Sequence, residues 1–232
     1  MNRSLQIVCM LFPGVTQLDL TGPAQIFSRL PDTELSFAWH RIEPVLTDAG
    51  FAIVPNTTLT AAPQADVLFV PGGQGAFELF EDDVALEFLR RQSTGARYVT
   101  SVCTGSFALA AAGLLRGKRA TSHWASLGLL ERFGVTPTAQ RVVHDGNVVT
   151  GAGVTSGMDF ALSLAAEVFS PDVAKRVQLA IEYDPSPPFD AGSPERPEAD
   201  AAQVEQTIEA MRELRGPLVD RAVDRLSQRR ML

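Results

Sequence analysis

Cysteine is nearly absent: Cys9 and Cys103 are the only two in 232 residues. Two thiols make no disulfide framework, so the fold must rest on its core, and the pattern fits a reducing compartment. Histidine is almost as scarce, at three, and His40, His123 and His144 are too scattered to read as a metal-ligand cluster. Positive charge is outweighed: 20 Lys and Arg stand against 27 Asp and Glu, a formal charge of −7. That balance, with no basic cluster interleaved with aromatics, argues against a nucleic-acid or anionic-membrane partner. Long hydrophobic runs are also missing, and none approaches the length of a membrane span. The run over residues 5–11 is too short for the core of a signal peptide, and it ends in Pro13-Gly14 instead of a cleavage site. A soluble cytoplasmic protein is the expectation. What is present is ordinary globular composition, 45% hydrophobic and 20% charged, in a chain long enough to bury a substantial core.

The stretch over residues 96–110 carries the most chemistry. Tyr98, Val99, Thr100 and Val102 are β-branched or aromatic and predict a buried strand. Gly105 permits a sharp turn, and the Ala- and Leu-rich run 106–115 predicts a helix. Cys103 therefore sits at the carboxyl end of a strand and the amino end of a helix. In an open α/β sheet ligands bind at that edge, and a helix N-terminus favours the thiolate over the thiol. Cys103 is the candidate nucleophile. Cys9 lies in mid-strand and reads as core filler.

The rest of the chain alternates strand and helix signals. Residues 5–11, 35–42 and 66–70 predict strands, with 51–54 a short hairpin arm. Thr21 is placed to cap a helix over 24–30, with Pro23 near its first turn. Asp19, just before it, is either a local cap or a group directed into a site. Pro71-Gly72-Gly73 follows the third strand, where glycine lets backbone N–H groups approach a ligand closely. Residues 82–91, 125–133, 155–169 and 172–183 predict helices, Gly134 ending the second of these. Asp145-Gly146 marks a hairpin over 141–150. Residues 184–197 are rich in Pro, Gly and Ser and read as an extended segment or a linker. The tail, 201–232, has a helical apolar stripe that Gly216-Pro217 should kink or divide. The alternation predicts an α/β doubly wound fold.

Val70-Pro71-Gly72-Gly73, Thr100-Ser101-Val102-Cys103-Thr104-Gly105 and Ala120-Thr121-Ser122-His123-Trp124 together resemble the DJ-1/PfpI superfamily. Further stretches at 18–23, 151–162, 176–179 and 182–194 resemble its branch of bacterial isocyanide-hydrating enzymes. The cysteine corner is shared with many relatives, whereas the Pro-rich stretch is more specific. The resemblance implies a flavodoxin-like sandwich with a mostly parallel sheet over residues 1–195, and a helical extension over 196–232 packed on it or across a dimer. It also implies an intracellular homodimer, no metal or organic cofactor, and hydration of an isocyanide to an N-formamide. Cys103 matches the family's nucleophile and Asp19 its acidic partner. Thr104 stands where protease-like members have histidine, and members acting on glyoxals place glutamate near the position of Asp19. Both departures weigh against protease, amidotransferase and glyoxalase readings. A redox or stress sensor working through Cys103 oxidation is the other alternative.

The implied chemistry is addition of the Cys103 thiolate to the terminal isocyanide carbon, giving a thioimidate that water then hydrolyses. Asp19 would shuttle the proton, and the N–H groups of Gly73 and Thr104 would stabilise charge in the hydrolytic step. Gly72 and Gly73 form either a close backbone approach to the site or only a tight turn. His123 is either site-lining or a structural ring bonded to backbone. Trp124 and Phe27 either line an apolar pocket or pack in the core.

Overall fold

In the computed structural model, which describes residues 3–229, the apolar runs become the middle of a seven-stranded sheet. The strands are β1 (Leu5–Met10), β2 (Thr33–Trp39), β3 (Val45–Leu46), β4 (Ala52–Ile53), β5 (Thr57–Thr58), β6 (Val67–Val70), β7 (Tyr98–Val102), β8 (Arg119–Ala120), β9 (Thr136–Pro137), β10 (Val142–Asp145) and β11 (Val148–Gly151). The main sheet has the order β10-β11-β7-β6-β1-β2-β5. Every neighbouring pair in it is parallel except β10 and β11. That pair is the predicted hairpin, turning at Gly146 with φ 64°. All four residues of β6 are buried, as a parallel strand covered on both faces requires.

The helices are α1 (Gln17–Phe27), α2 (Gly75–Glu78), α3 (Asp83–Gly95), α4 (Gly105–Ala111), α5 (Ser156–Val168), α6 (Pro171–Ala180) and α7 (Ala201–Arg229). One set packs α1, α5 and α6 together; the other joins α2, α3, α4, a 3-10 helix over Trp124–Phe133, and α7. Each set has its own aromatic cluster. Phe27 meets Phe69 edge-on and Phe69 stacks on Phe160 at 5.6 Å. Phe77 packs on Phe107 at 5.0 Å, with Phe133 edge-on to Phe107 beyond. The result is a flavodoxin-like α/β sandwich with a C-terminal helix. Among the described residues, no helix is long and apolar enough to cross a membrane.

Three local expectations are corrected. Thr21 does not cap a helix, because α1 begins at Gln17 and holds both Thr21 and Pro23 inside it. Tertiary bonds fix that earlier start: Thr16 N–H donates to the Gly72 carbonyl at 2.9 Å and Gln17 N–H to Asp48 Oδ1 at 3.2 Å. Thr21 Oγ1 instead donates to Gln17 Oε1. Residues 124–133 wind as a 3-10 helix, not an α-helix, and end at Gly134 with φ 72°. Gly216-Pro217 does not divide the tail: α7 runs through it. Arg132 Nη1 donates to the Gly216 carbonyl at 3.1 Å and to Asp220 at 2.8 Å, while Val219 and Ala222 are buried. Packing on both sides of the proline thus offsets the roughly 3 kcal/mol that a helix-interior proline costs. The last three residues of the expected tail helix, 230–232, lie outside the described residues.

One glycine sets how closely α4 approaches the sheet. A Cβ on Gly105 would stand 2.2 Å from the Val70 carbonyl oxygen and 2.5 Å from that of Pro71. Both are backbone atoms with no freedom to step aside. Gly105→Ala should destabilise the fold by about 3 kcal/mol, seen as a lower urea midpoint at unchanged slope.

Candidate active site

The carboxyl ends of β1, β6, β7 and β11 lie side by side, and each hands its next residues to one small region. After β1 the chain enters α1, whose first turn carries Asp19. After β6 come Pro71, Gly72 and Gly73. After β7 comes Cys103, with φ 55°. A side chain enters that left-handed region only at a cost, on the order of 1–3 kcal/mol. Four hydrogen bonds hold Cys103 there. Its N–H donates to the carbonyls of Gly151 at 3.0 Å and Ala152 at 2.8 Å. Its own carbonyl accepts from Ser106 Oγ at 3.1 Å and Ser122 Oγ at 2.9 Å. The strand end, the helix start and the 121–123 corner together over-determine the strained turn.

Asp19 is fully buried. Its Oδ2 accepts the Gly72 N–H at 3.0 Å, and its Oδ1 makes no aligned hydrogen bond. Burial pushes the carboxyl up to about 7; hydrogen bonding with the Cys103 thiol and with Gly72 N–H opposes the rise, and the Asp48 charge adds to it. Carboxyl and cysteine are neighbours: Asp19 Oδ2 and Cys103 Cβ lie 2.6 and 2.7 Å from one point beside Gly72. Burial, and after it the Asp19 charge, push the Cys103 thiol well above its ordinary range, against the pull of the Thr104 N–H and hydroxyl. Desolvation thus works against the helix-terminus effect expected from the sequence.

Gly72 closes one wall of the site. A Cβ there would stand 2.6 Å from Asp19 Oδ2, 2.6 Å from Thr104 N and 2.7 Å from Cys103 Cβ. The Asp19 carboxyl, the Thr104 N–H and Cys103 converge on one point, which leaves no room for a side chain at residue 72. Thr104 N–H faces the sulfur. The Gly73 N–H is engaged elsewhere: it donates to Thr104 Oγ1 at 2.9 Å, and that hydroxyl donates to the Gly73 carbonyl at 2.9 Å. The hydroxyl of Thr104 thus fastens the glycine loop. His123 Nδ1 accepts the Ala125 N–H at 3.3 Å and caps the 3-10 helix, and its ring lies against Trp124 and Gly153. Burial, then the Arg215 charge, push the His123 imidazole below its ordinary value, so it is neutral at pH 7. Phe27 belongs to the core cluster with Phe69 and Phe160. A cleft of about 280 Å³ opens beside α7, walled by Phe77, Phe80 and Leu218 among others, but Cys103 is not part of its wall.

The chain as a whole is matched in known proteins. The DJ-1/PfpI family model matches residues 5–167. The chain belongs to the DJ-1/PfpI family. Within that family, the isonitrile hydratase of Pseudomonas putida is 48% identical to it over 227 residues, 97% of this chain and all of that protein. The crystal structure of a THiJ/PfpI family protein from Pseudomonas syringae shares 42% identity at a TM-score of 0.89, covering 95% of this chain and 90% of that one. Drosophila melanogaster DJ-1beta shares 26% identity at a TM-score of 0.70, covering 77% of this chain and 98% of that one.

Reasoning from sequence missed three residues around this DJ-1/PfpI cysteine. Ser122 stands in one of the motifs and Ser106 directly after another, yet nothing in a motif says that both hydroxyls serve one carbonyl. Arg215 lies on α7, beyond the segment that the family model matches. Its Nη1 donates to Ser126 Oγ at 2.6 Å, its Nε to Gln74 Oε1 at 3.3 Å, and its guanidinium lies 4.7 Å from the Phe77 ring centroid. Only the fold brings it near the site.

Proposed function

We propose that this chain is a hydro-lyase that hydrates isocyanides to N-formamides, with Cys103 as nucleophile and Asp19 as the proton carrier. The observation that carries the reading is the pairing of a buried Asp19 with Cys103 in a chain 48% identical, nearly end to end, to an isonitrile hydratase. The Asp19 carboxylate takes the thiol proton as the sulfur adds to the terminal isocyanide carbon. The carboxyl then returns that proton to the same carbon, leaving a thioimidate, R–N=CH–S–Cys. Water adds to the imidate carbon while the nitrogen gains a proton, and the C–S bond breaks to release R–NH–CHO and the thiol. Isocyanide and water are consumed, formamide is produced, and no cofactor takes part. The Thr104 N–H stabilises charge in the hydrolytic step, a role supported by its pull on the Cys103 thiol.

The family resemblance supports a cytoplasmic homodimer as the working form, with an α/β unit over 1–195 and a helical extension over 196–232 packed on it. Oxidative sensing is the weaker reading, since Cys103 is buried and burial opposes its ionisation. The deciding experiment adds an alkyl isocyanide to the purified chain and follows the formamide by NMR. No formamide at high enzyme concentration would sink the reading, and methylglyoxal consumed to lactate instead would replace it with a glyoxalase. Gly72→Ala provides a second check. Its methyl would stand 2.6–2.7 Å from Asp19 Oδ2, Thr104 N and Cys103 Cβ, so these groups would have to move apart. We expect kcat/KM to fall about 100-fold; an unchanged value would mean that their mutual placement does not matter to the reaction.

A further inference from the structure

Arg215 is the one residue of α7 that reaches two loops of the site at once. Gln74 directly follows Gly73, whose N–H is held by the Thr104 hydroxyl next to Cys103. Ser126 lies in the 3-10 helix capped by His123, and the Ser126 N–H donates to the His123 carbonyl at 3.0 Å. The preceding residue, Ser122, donates to the Cys103 carbonyl. One guanidinium thus bridges the loop in front of the cysteine turn and the loop behind it. Its place is fixed from below by the Phe77 ring and along the helix by the anchors of α7. Those anchors are Arg132 on the Gly216 carbonyl and Asp220, and Arg225 on Glu81 and Asp83.

The bridge also carries charge. Of the charged and titratable groups around the site, Asp19 from α1 acts on the sulfur and Asp48 on Asp19, while Arg215 from α7 acts on His123 at the cap of the 3-10 helix and feels the sulfur. His123 is neutral at pH 7. Asp19 opposes ionisation of the sulfur. Arg215 is the cation of the set: burial lowers its own affinity for a proton, and the charge on Cys103 raises it. A guanidinium stays protonated even where it is partly buried.

We infer that Arg215 is a positioning residue for Cys103, a clamp from the C-terminal helix that joins the Gln74 and Ser126 loops on either side of the cysteine turn and sets a guanidinium between them. The inference rests on the reading of Cys103 as nucleophile but not on the identity of the substrate. It makes α7, which the family model does not include, a working part of the site.

The test measures alkylation of Cys103 by iodoacetamide across pH, by peptide mass mapping, in the full chain. Arg215→Gln keeps hydrogen-bonding capacity and removes the charge, Arg215→Lys keeps the charge, and Arg212→Gln, on an exposed face three residues earlier, is the control. Thermal melts establish that each variant is folded. The Gln variant should alkylate about tenfold more slowly at pH 7.5, with its midpoint about one pH unit higher. The Lys variant should return most of the way to the parent profile, and the control should match it. If Arg215→Gln fails to fold, the Lys variant still decides: a profile shifted by a full unit with the charge retained would overturn the inference. Equal profiles in parent and Gln variant would also overturn it while leaving Cys103 as nucleophile. A parent protein in which Cys103 never alkylates would overturn the nucleophile and the clamp together.

Discussion

Cys103→Ala lowers formamide production at least about 10⁴-fold, to the uncatalysed background. The reason lies in what else stands in the site. Cys9 is fully buried in β1, and the hydroxyls of Ser106 and Ser122 are both directed at the Cys103 carbonyl. Thr104 Oγ1 is bonded to Gly73 on both its donor and acceptor sides. None of these four groups is free to take over. Cys103→Ser should recover no more than about 1% of the parent rate, because a carboxylate that titrates at about 7 is too weak a base for an alcohol. The Ala and Ser variants keep the left-handed backbone at residue 103 and the bonds to Gly151, Ala152, Ser106 and Ser122, so both should fold. Formamide release in a single-turnover assay with excess enzyme decides the matter. An Ala variant with more than about 1% of the parent rate would remove covalent catalysis from the proposal.

What the sequence made legible was local. The buried strands at 67–70 and 98–102, the hairpin at Asp145-Gly146 and the cysteine corner all follow from short-range signals, namely β-branched runs, a turn dipeptide and a glycine. The resemblance then named Asp19 and Thr104 as neighbours of Cys103. What was not legible depends on contacts between distant segments. The start of α1 is fixed by Asp48 and Gly72, and the continuity of α7 by Arg132. Gly73 illustrates the same limit inside the site. Its N–H was a reasonable oxyanion donor by position, but the Thr104 hydroxyl occupies it. The surroundings of the Cys103 thiol follow the same pattern: a helix N-terminus was visible in the sequence, and the depth of burial that works against it was not.

Asp19→Asn separates activity from stability, and the two should move in opposite directions. The folded carboxyl titrates at about 7 against 3.8 in the open chain, raised by burial first and only partly restored by the Cys103 and Gly72 hydrogen bonds. Between those values the folded state holds a proton that the unfolded state has released. Stability from this group is therefore present at low pH and is lost as pH rises from about 4 to about 7. Above 7 the folded protein carries a buried carboxylate at a net cost. Asparagine removes the charge while its side-chain oxygen still accepts the Gly72 N–H, so at pH 8 the variant should be more stable by on the order of 2 kcal/mol, and its advantage should disappear towards pH 4. Activity runs the other way. In the proposed cycle the carboxylate must take the thiol proton, so the parent kcat/KM should fall as pH drops through about 7. The Asn variant can neither accept nor return that proton, and its kcat/KM should be lower by about 10³-fold. Urea melts at pH 5 and pH 8, set beside a pH–rate profile, test both halves. A variant that is both less stable at pH 8 and still active would show that Asp19 is a structural cap on the Gly72 loop instead of a group strained in place for catalysis.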